Sequence, residues 1–197
     1  MAAESGAAKP LGLWETYRET DNRGYLAQYR RQRWSRFAEC RIWLGQEALA
    51  GLSWDQGLTL FRSSGASGIK EFRSNQLEEV RDALDFLLYD TITLEVRFAE
   101  CAASGGSYHL PGMGKEFVSY LLCLRDPSLF GIWQTYVPRA LRLMGQCPPN
   151  LGKGHLGLGY LDLLDALQRV RQETGLADFR GVDEYCFAVT RRYKSLL

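Results

Sequence analysis

Apolar side chains recur along most of this chain at the three- and four-residue spacing of amphipathic helices. Asn75, followed three residues later by Glu78, fits a capping box that starts one helix. A later stripe ends at Gly175, which suits the position just after a helix. The two clearest stripes comprise Leu77, Val80, Leu84, Leu87 and Leu88, and then Tyr160, Leu163, Leu164, Leu167 and Val170. With no alternating strand pattern and no internal repeat, the sequence predicts an all-α fold.

The same spacing predicts seven or eight helices in total, with Ser53 as the N-cap of one of them. A segment rich in Gly and Ser over 63–75 and another over 147–154 interrupt the pattern and predict loops. The remaining predicted helices cover about 25–46, 54–62, 92–103, the stretch up to 124, 135–144 and 182–193.

Three regions follow from this organisation. Residues 1–12 predict a flexible leader, 13–90 an N-terminal helical lobe, and 91–197 a helical core that contains a helix-hairpin-helix motif.

Composition narrows the function classes. Apolar residues make up 46% and charged residues 24% of the chain, as in ordinary globular proteins, and the net charge is +1. Any affinity for a polyanion must therefore come from local basic patches. No apolar run is long enough to cross a membrane and the N-terminus has no signal sequence, so we expect no membrane partner.

The cysteines and histidines predict neither a metal site nor a cofactor. The five cysteines are widely separated and the chain has only two histidines, so no zinc-type spacing can be written. Reduced cysteines in apolar stretches favour a cytoplasmic location, nucleoid-associated or nuclear where the cell has a nucleus.

The stretch 109–115, which reads His-Leu-Pro-Gly-Met-Gly-Lys before an apolar run, carries the most specific signal. Gly112 and Gly114 permit positive φ and close approach, and the N–H groups that open the next helix lack intrahelical partners. Such a hairpin can hold a phosphate. We therefore predict DNA contacts from Leu110, Gly112, Met113, Gly114 and Lys115. The alternative is a tight turn between helices with only a structural role.

Over about 92–190 the chain resembles the helix-hairpin-helix DNA glycosylases, in the oxoguanine-glycosylase branch. The resemblance rests on Leu-Pro-Gly-Met-Gly at 110–114, on Trp-Gln-Thr-Tyr-Val-Pro-Arg at 133–139, and on Val-Asp-Glu-Tyr at 182–185. It implies an all-α glycosylase-like scaffold that binds double-stranded DNA.

Departures from the family pattern affect the chemistry. Where the family has an aspartate that stabilises positive charge on the sugar, this chain has Gln134, and where bifunctional members have a nucleophilic lysine it has Glu116. We therefore expect no catalytic residue, with Trp133 and Gln134 as a non-catalytic base pocket. The alternative is a monofunctional glycosylase that uses Asp126 or Glu116 instead.

Clusters of basic and acidic residues predict further contacts with partners. Arg30, Arg33, Arg36 and Arg139 are predicted to extend the DNA footprint. The acidic segment 78–100 predicts a surface for a protein partner. The sequence thus favours a DNA-binding module within a DNA-processing or defence assembly. The alternatives are an active glycosylase and a non-catalytic protein-interaction subunit.

Overall fold

The computed structural model describes residues 10–194, and the regular structure of that part of the chain is entirely helical. The all-α prediction is confirmed, but the described residues form twelve helices instead of seven or eight. Of the predicted leader, residues 1–9 lie outside the described part. The helices are α1 (Pro10–Asn22), α2 (Tyr25–Arg33), α3 (Phe37–Trp43), α4 (Gln46–Leu49), α5 (Trp54–Ser64), α6 (Ile69–Arg73), α7 (Leu77–Tyr89), α8 (Leu94–Ala102), α9 (Lys115–Arg125), α10 (Val137–Leu143), α11 (Leu156–Thr174) and α12 (Phe179–Lys194).

Two departures account for much of the difference in helix number. The single helix predicted over 25–46 is divided into α2, α3 and α4, with irregular residues at 34–36. The loop predicted over 63–75 contains α6. This helix follows Gly65 and Gly68 in sequence, and both glycines have positive φ. A five-residue helix is too short to show periodicity, so its Gly-rich flanks dominate the sequence pattern.

The helix caps are partly as predicted. Ser53 caps α5 in a capping box with Gln56, and Gly175 ends α11 at φ 69°. The box predicted at Asn75 and Glu78 is wrong, because α7 is capped one residue later by Gln76 with Glu79. The Asn75 amide donates instead to backbone carbonyls, one of which belongs to the hairpin at 109–114.

One hydrophobic core joins the predicted N-terminal lobe to the predicted core region. Phe61 and Phe72 stack at 4.5 Å, and Phe117 of α9 packs 4.9 Å from Phe61. Elsewhere α11 lies so close to α8 that a Cβ on Gly157 would be 1.8 Å from the Glu95 carbonyl oxygen. Among the described helices, none is both long and apolar enough to span a bilayer.

Candidate nucleic-acid interface

The hairpin at 109–114 connects α8 to α9 and packs directly against α6. Gly112 has φ 82°, and a Cβ there would lie 2.7 Å from both the Gly68 carbonyl oxygen and the Phe72 amide nitrogen. The Asn75 amide also donates to the Pro111 carbonyl at 2.9 Å. Helix α6 therefore covers one side of the hairpin, and glycine at 112 is required by packing as well as by conformation.

The start of α9 carries charge of both signs. A Cβ on Gly114, the N-cap residue, would lie 3.2 Å from a carboxylate oxygen of Glu116. The ammonium of Lys115 lies 5.1 Å from the ring centroid of Trp133, in a cation–π contact. Met113 is fully buried, whereas Leu110, Gly112, Gly114 and Lys115 are half-buried. The hairpin residues thus differ in accessibility, and the cation Lys115 follows them directly as the first residue of α9.

Trp133 and Gln134 are core residues in this structure. They are 1% and 5% exposed. The Trp133 ring stacks near Tyr160, and the Gln134 amide donates to the Ser64 carbonyl at 2.6 Å. The predicted base pocket would therefore need these side chains to move.

Asp126, a carboxylate that the glycosylase alternative would use for catalysis, stabilises a turn. Its Oδ1 accepts hydrogen bonds from the Ser128 hydroxyl at 2.5 Å and the Ser128 amide at 2.9 Å. The hydroxyl is the largest cause that holds the pKa of Asp126 below its usual value. A carboxylate held in its charged form in this way is a poor general acid.

Two of the arginines predicted to bind DNA are neutralised within the protein. Arg30 pairs with Asp21 and with Glu184, both at 2.8 Å, and Arg36 pairs with Glu39 at 2.6 Å. A phosphate would have to compete with these carboxylates. Arg139, on α10, is half-exposed.

Arg33, the third arginine of α2, is the centre of a buried polar cluster. Its Nε lies 3.2 Å from Asp183 of α12, and its Nη1 donates to the Ser64 carbonyl at 2.6 Å. The hydroxyls of Tyr29 and Tyr136 both donate to the Asp183 carboxylate. The cluster therefore ties α2, α12 and the end of α5 to the segment before α10.

The surroundings of Arg33, Tyr29 and Tyr136 favour the protonated form of all three side chains. Burial is the largest single influence on the pKa of Arg33 and lowers it, but the neighbouring groups, with Tyr136 and Asp183 first among them, together raise that pKa above its ordinary value. Burial, followed by the charge of Asp183, raises the pKa of Tyr29 and Tyr136 well above 10. At neutral pH the arginine is charged and both phenols remain donors.

A group of cations that the sequence analysis missed lies on α5 and α6. Arg62, Lys70 and Arg73 are exposed, and none forms an ion pair within the described part of the chain. They line a groove of about 430 Å³, here called the α5–α6 groove, whose other lining residues are Leu58, Phe61, Ala66 and Ile69. No carboxylate is among those lining residues.

The sequence could not have identified this groove, since 63–75 was predicted to be a loop. Only once α6 is known do Lys70 and Arg73, three residues apart, fall on neighbouring turns of one helix. Glu71 lies between them in sequence, and its carboxylate is 3.4 Å from where a Cβ on Gly68 would stand. That acidic group is not part of the groove lining.

Metal binding and nucleophilic attack by a cysteine thiol are two further kinds of candidate chemistry. No group of three or more His, Cys, Asp or Glu side chains that could hold a metal ion occurs in the described residues. Burial raises the pKa of the Cys40 thiol to about 11 and that of Cys101 to about 12, so neither is a ready nucleophile.

Comparison of the chain with protein-family models, with curated proteins and with solved structures gives no match.

Proposed function

We propose that this protein is a non-catalytic DNA-binding module that contacts the phosphate backbone through the α5–α6 groove and the adjacent hairpin. In this proposal α8, the hairpin and α9 form a helix-hairpin-helix motif. The observation that carries the proposal is the set of unpaired cations, Arg62, Lys70 and Arg73, around one groove without a carboxylate in its lining. The helix that bears two of them packs on Gly112 of the hairpin.

The absence of internal ion pairs favours this surface over Arg30 and Arg36, which the sequence analysis had predicted to contact DNA. A phosphate gains most from a cation whose charge is not already offset, because each contact then releases counterions from the DNA. Arg62, Lys70 and Arg73 meet that condition, whereas Arg30 and Arg36 are held by carboxylates. Contacts by three cations predict a slope of log affinity against log salt of about −3.

The non-catalytic part of the proposal is supported by the residues at the two positions where the resembled glycosylases have their catalytic aspartate and lysine. Gln134 carries no negative charge, and its amide is used by the Ser64 carbonyl. Glu116 cannot form a Schiff base with a sugar aldehyde. The scaffold that the resemblance implies is therefore proposed to bind duplex DNA, within a larger DNA-processing or defence assembly in the cytoplasm or nucleus.

A second candidate function, protein interaction, has one observation in its favour. Glu78, Asp82 and Asp85 are exposed and follow one another along one side of α7. This acidic stripe fits a basic protein partner, and it belongs to the segment 78–100 predicted from the sequence.

Fluorescence anisotropy with labelled duplex DNA at low and moderate salt tests the proposal. The variant Lys70→Gln/Arg73→Gln is expected to lose at least about tenfold in affinity and to flatten the salt slope by about 2. The matched control, Arg31→Gln/Arg36→Gln, removes the same charge from exposed positions on α2 and next to α3 and is expected to change affinity less than about threefold.

Two results would overturn the proposal. One is equal loss of affinity in both variants, since the groove would then have no special role. The other is no binding by the folded wild-type protein, which would favour protein interaction through the acidic stripe. Release of free bases from a panel of damaged duplexes would instead support the glycosylase alternative.

A further inference from the structure

A second cleft adjoins the α5–α6 groove and shares Arg62 with it. It has a volume of about 340 Å³ and lies between α2 and the end of α5. Its lining residues are Tyr29, Gln32, Arg33, Arg62, Ser63 and Gly65. Two of these are arginines and none is an acid.

Arg33, one of the lining residues, carries a buried hydrogen-bond donor that has no acceptor in the described part of the chain. Its side chain is only 6% exposed, and its Nη2 has no hydrogen-bond partner among the described residues. Asp183, which balances the charge of Arg33, is not a lining residue. A buried guanidinium with a free N–H group is costly unless something accepts that bond.

Gly65 keeps the cleft open. It has φ 68°, and a Cβ there would lie 3.0 Å from Arg33 Nη1 and 3.9 Å from the Gln134 amide nitrogen. Any larger residue at this position would crowd the Arg33 guanidinium. The backbone at Gly65 thus leaves room for a small ligand group next to the buried cation.

We propose that this cleft binds a terminal phosphate group, the phosphomonoester of a DNA strand end or of a free nucleotide. For the strand end, the inference rests on the proposed function, since a strand in the α5–α6 groove would reach the cleft at Arg62. The positive charge of the arginines matches a phosphomonoester, whose charge is about −1.5 to −2 near neutral pH. Arg33 and Arg62 offer the planar donors that phosphate oxygens favour.

The size of the cleft favours a terminal phosphate group over an internal phosphodiester. A space of about 340 Å³ is at the small end of ligand pockets and admits a phosphate with a sugar, but not a continuous duplex. An internal phosphodiester would have to bring both of its flanking nucleotides inside. A terminal phosphate is bonded to only one nucleotide, so the cleft has to accommodate that nucleotide alone.

Gln32 gives a test with little risk to folding. It is exposed on α2 and lines the cleft, so Gln32→Glu places a negative charge there with almost no change of shape. Gln28→Glu adds the same charge one turn earlier on the same helix, at an exposed position outside the cleft. Duplexes that end in a 5′ phosphate, a 3′ phosphate or hydroxyls only are compared by anisotropy, and a nucleoside monophosphate is compared with its nucleoside by calorimetry.

We expect one of the phosphate-ended duplexes to bind at least about tenfold tighter than the hydroxyl-ended duplex, as two charge-assisted contacts would give. Gln32→Glu should abolish that difference and Gln28→Glu should retain it.

If hydroxyl-ended and phosphate-ended duplexes bind equally and the monophosphate does not bind, the cleft inference is overturned while DNA binding stands. If no duplex binds but the monophosphate does, and Gln32→Glu weakens it, the cleft inference stands and the DNA proposal fails. A monophosphate that binds equally well to Gln32→Glu overturns this site.

Discussion

Arg33 and Asp183 form an ion pair at 3.2 Å with side chains that are 6% and 1% exposed. Their helices, α2 and α12, are remote in sequence, and the pair is completed by tyrosine hydroxyls that donate to the carboxylate. Two charges removed from water in this way depend on each other far more than a surface pair does.

Asp183→Asn should therefore lower the free energy of unfolding by about 3–5 kcal/mol, because it leaves the Arg33 charge buried without a counter-charge. Urea unfolding measures the loss. Arg33→Met combined with Asp183→Asn should cost less than the sum of the two single variants, since the double variant buries no lone charge. Strict additivity would show that the pair is not coupled.

Gly112→Ala should destabilise the protein by about 2–4 kcal/mol, through positive φ together with the collision with α6. Gly152→Ala is the matched control, because Gly152 has φ 84° but a Cβ there meets nothing within 4 Å. That control should cost only about 1 kcal/mol. Similar losses in the two variants, measured by thermal or urea unfolding, would contradict the packing of the hairpin on α6.

Gly157→Ala should prevent α11 from packing on α8, since the added Cβ would lie 1.8 Å from the Glu95 carbonyl oxygen. We expect a loss of more than about 3 kcal/mol or failure to fold. Gly57→Ala places the same methyl group in α5, where nothing lies within 4 Å. It should stabilise the protein by up to about 1 kcal/mol through helix propensity. A well-folded Gly157→Ala protein would exclude this close approach.

Stability should fall as the pH rises above about 9. Burial raises the pKa of Cys101 from 9.0 to about 12, so the unfolded thiol ionises first and the folded state retains its proton. The stabilisation is therefore fully present below pH 9 and is lost progressively toward pH 12. Cys101→Ala should reduce the dependence between these values by about 1.4 kcal/mol per pH unit, and urea unfolding at pH 7, 9 and 10.5 would detect it. An unchanged slope in the variant would contradict the burial of this thiol.

The long helices could be predicted because each shows several turns of apolar spacing. Helix α11 has a stripe and an ending glycine, and Ser53 marks the start of α5. The short helices α4 and α6 have too few residues to show a period. Helix number was therefore underestimated although the fold class was right.

The candidate site was less predictable, because its contacts are long-range. The sequence indicated that Gly112 needs conformational freedom, but nothing in it places Gly68 against that residue. It also showed the arginines of α2 without showing that Glu184 of α12 pairs with Arg30. Which cations remain available for a ligand depends on such pairings, and local patterns do not encode them.

The wide separation in sequence between Arg33 on α2 and Asp183 on α12 has a consequence for synthesis. While a ribosome extends the chain, Arg33 emerges long before its counter-ion, which emerges only with α12. Until then the guanidinium favours water, so α2 cannot adopt its final buried packing. Nascent chains should therefore stay open to chaperones and proteases until residue 183 is free, and vectorial folding from the N-terminus should stop short of the native state.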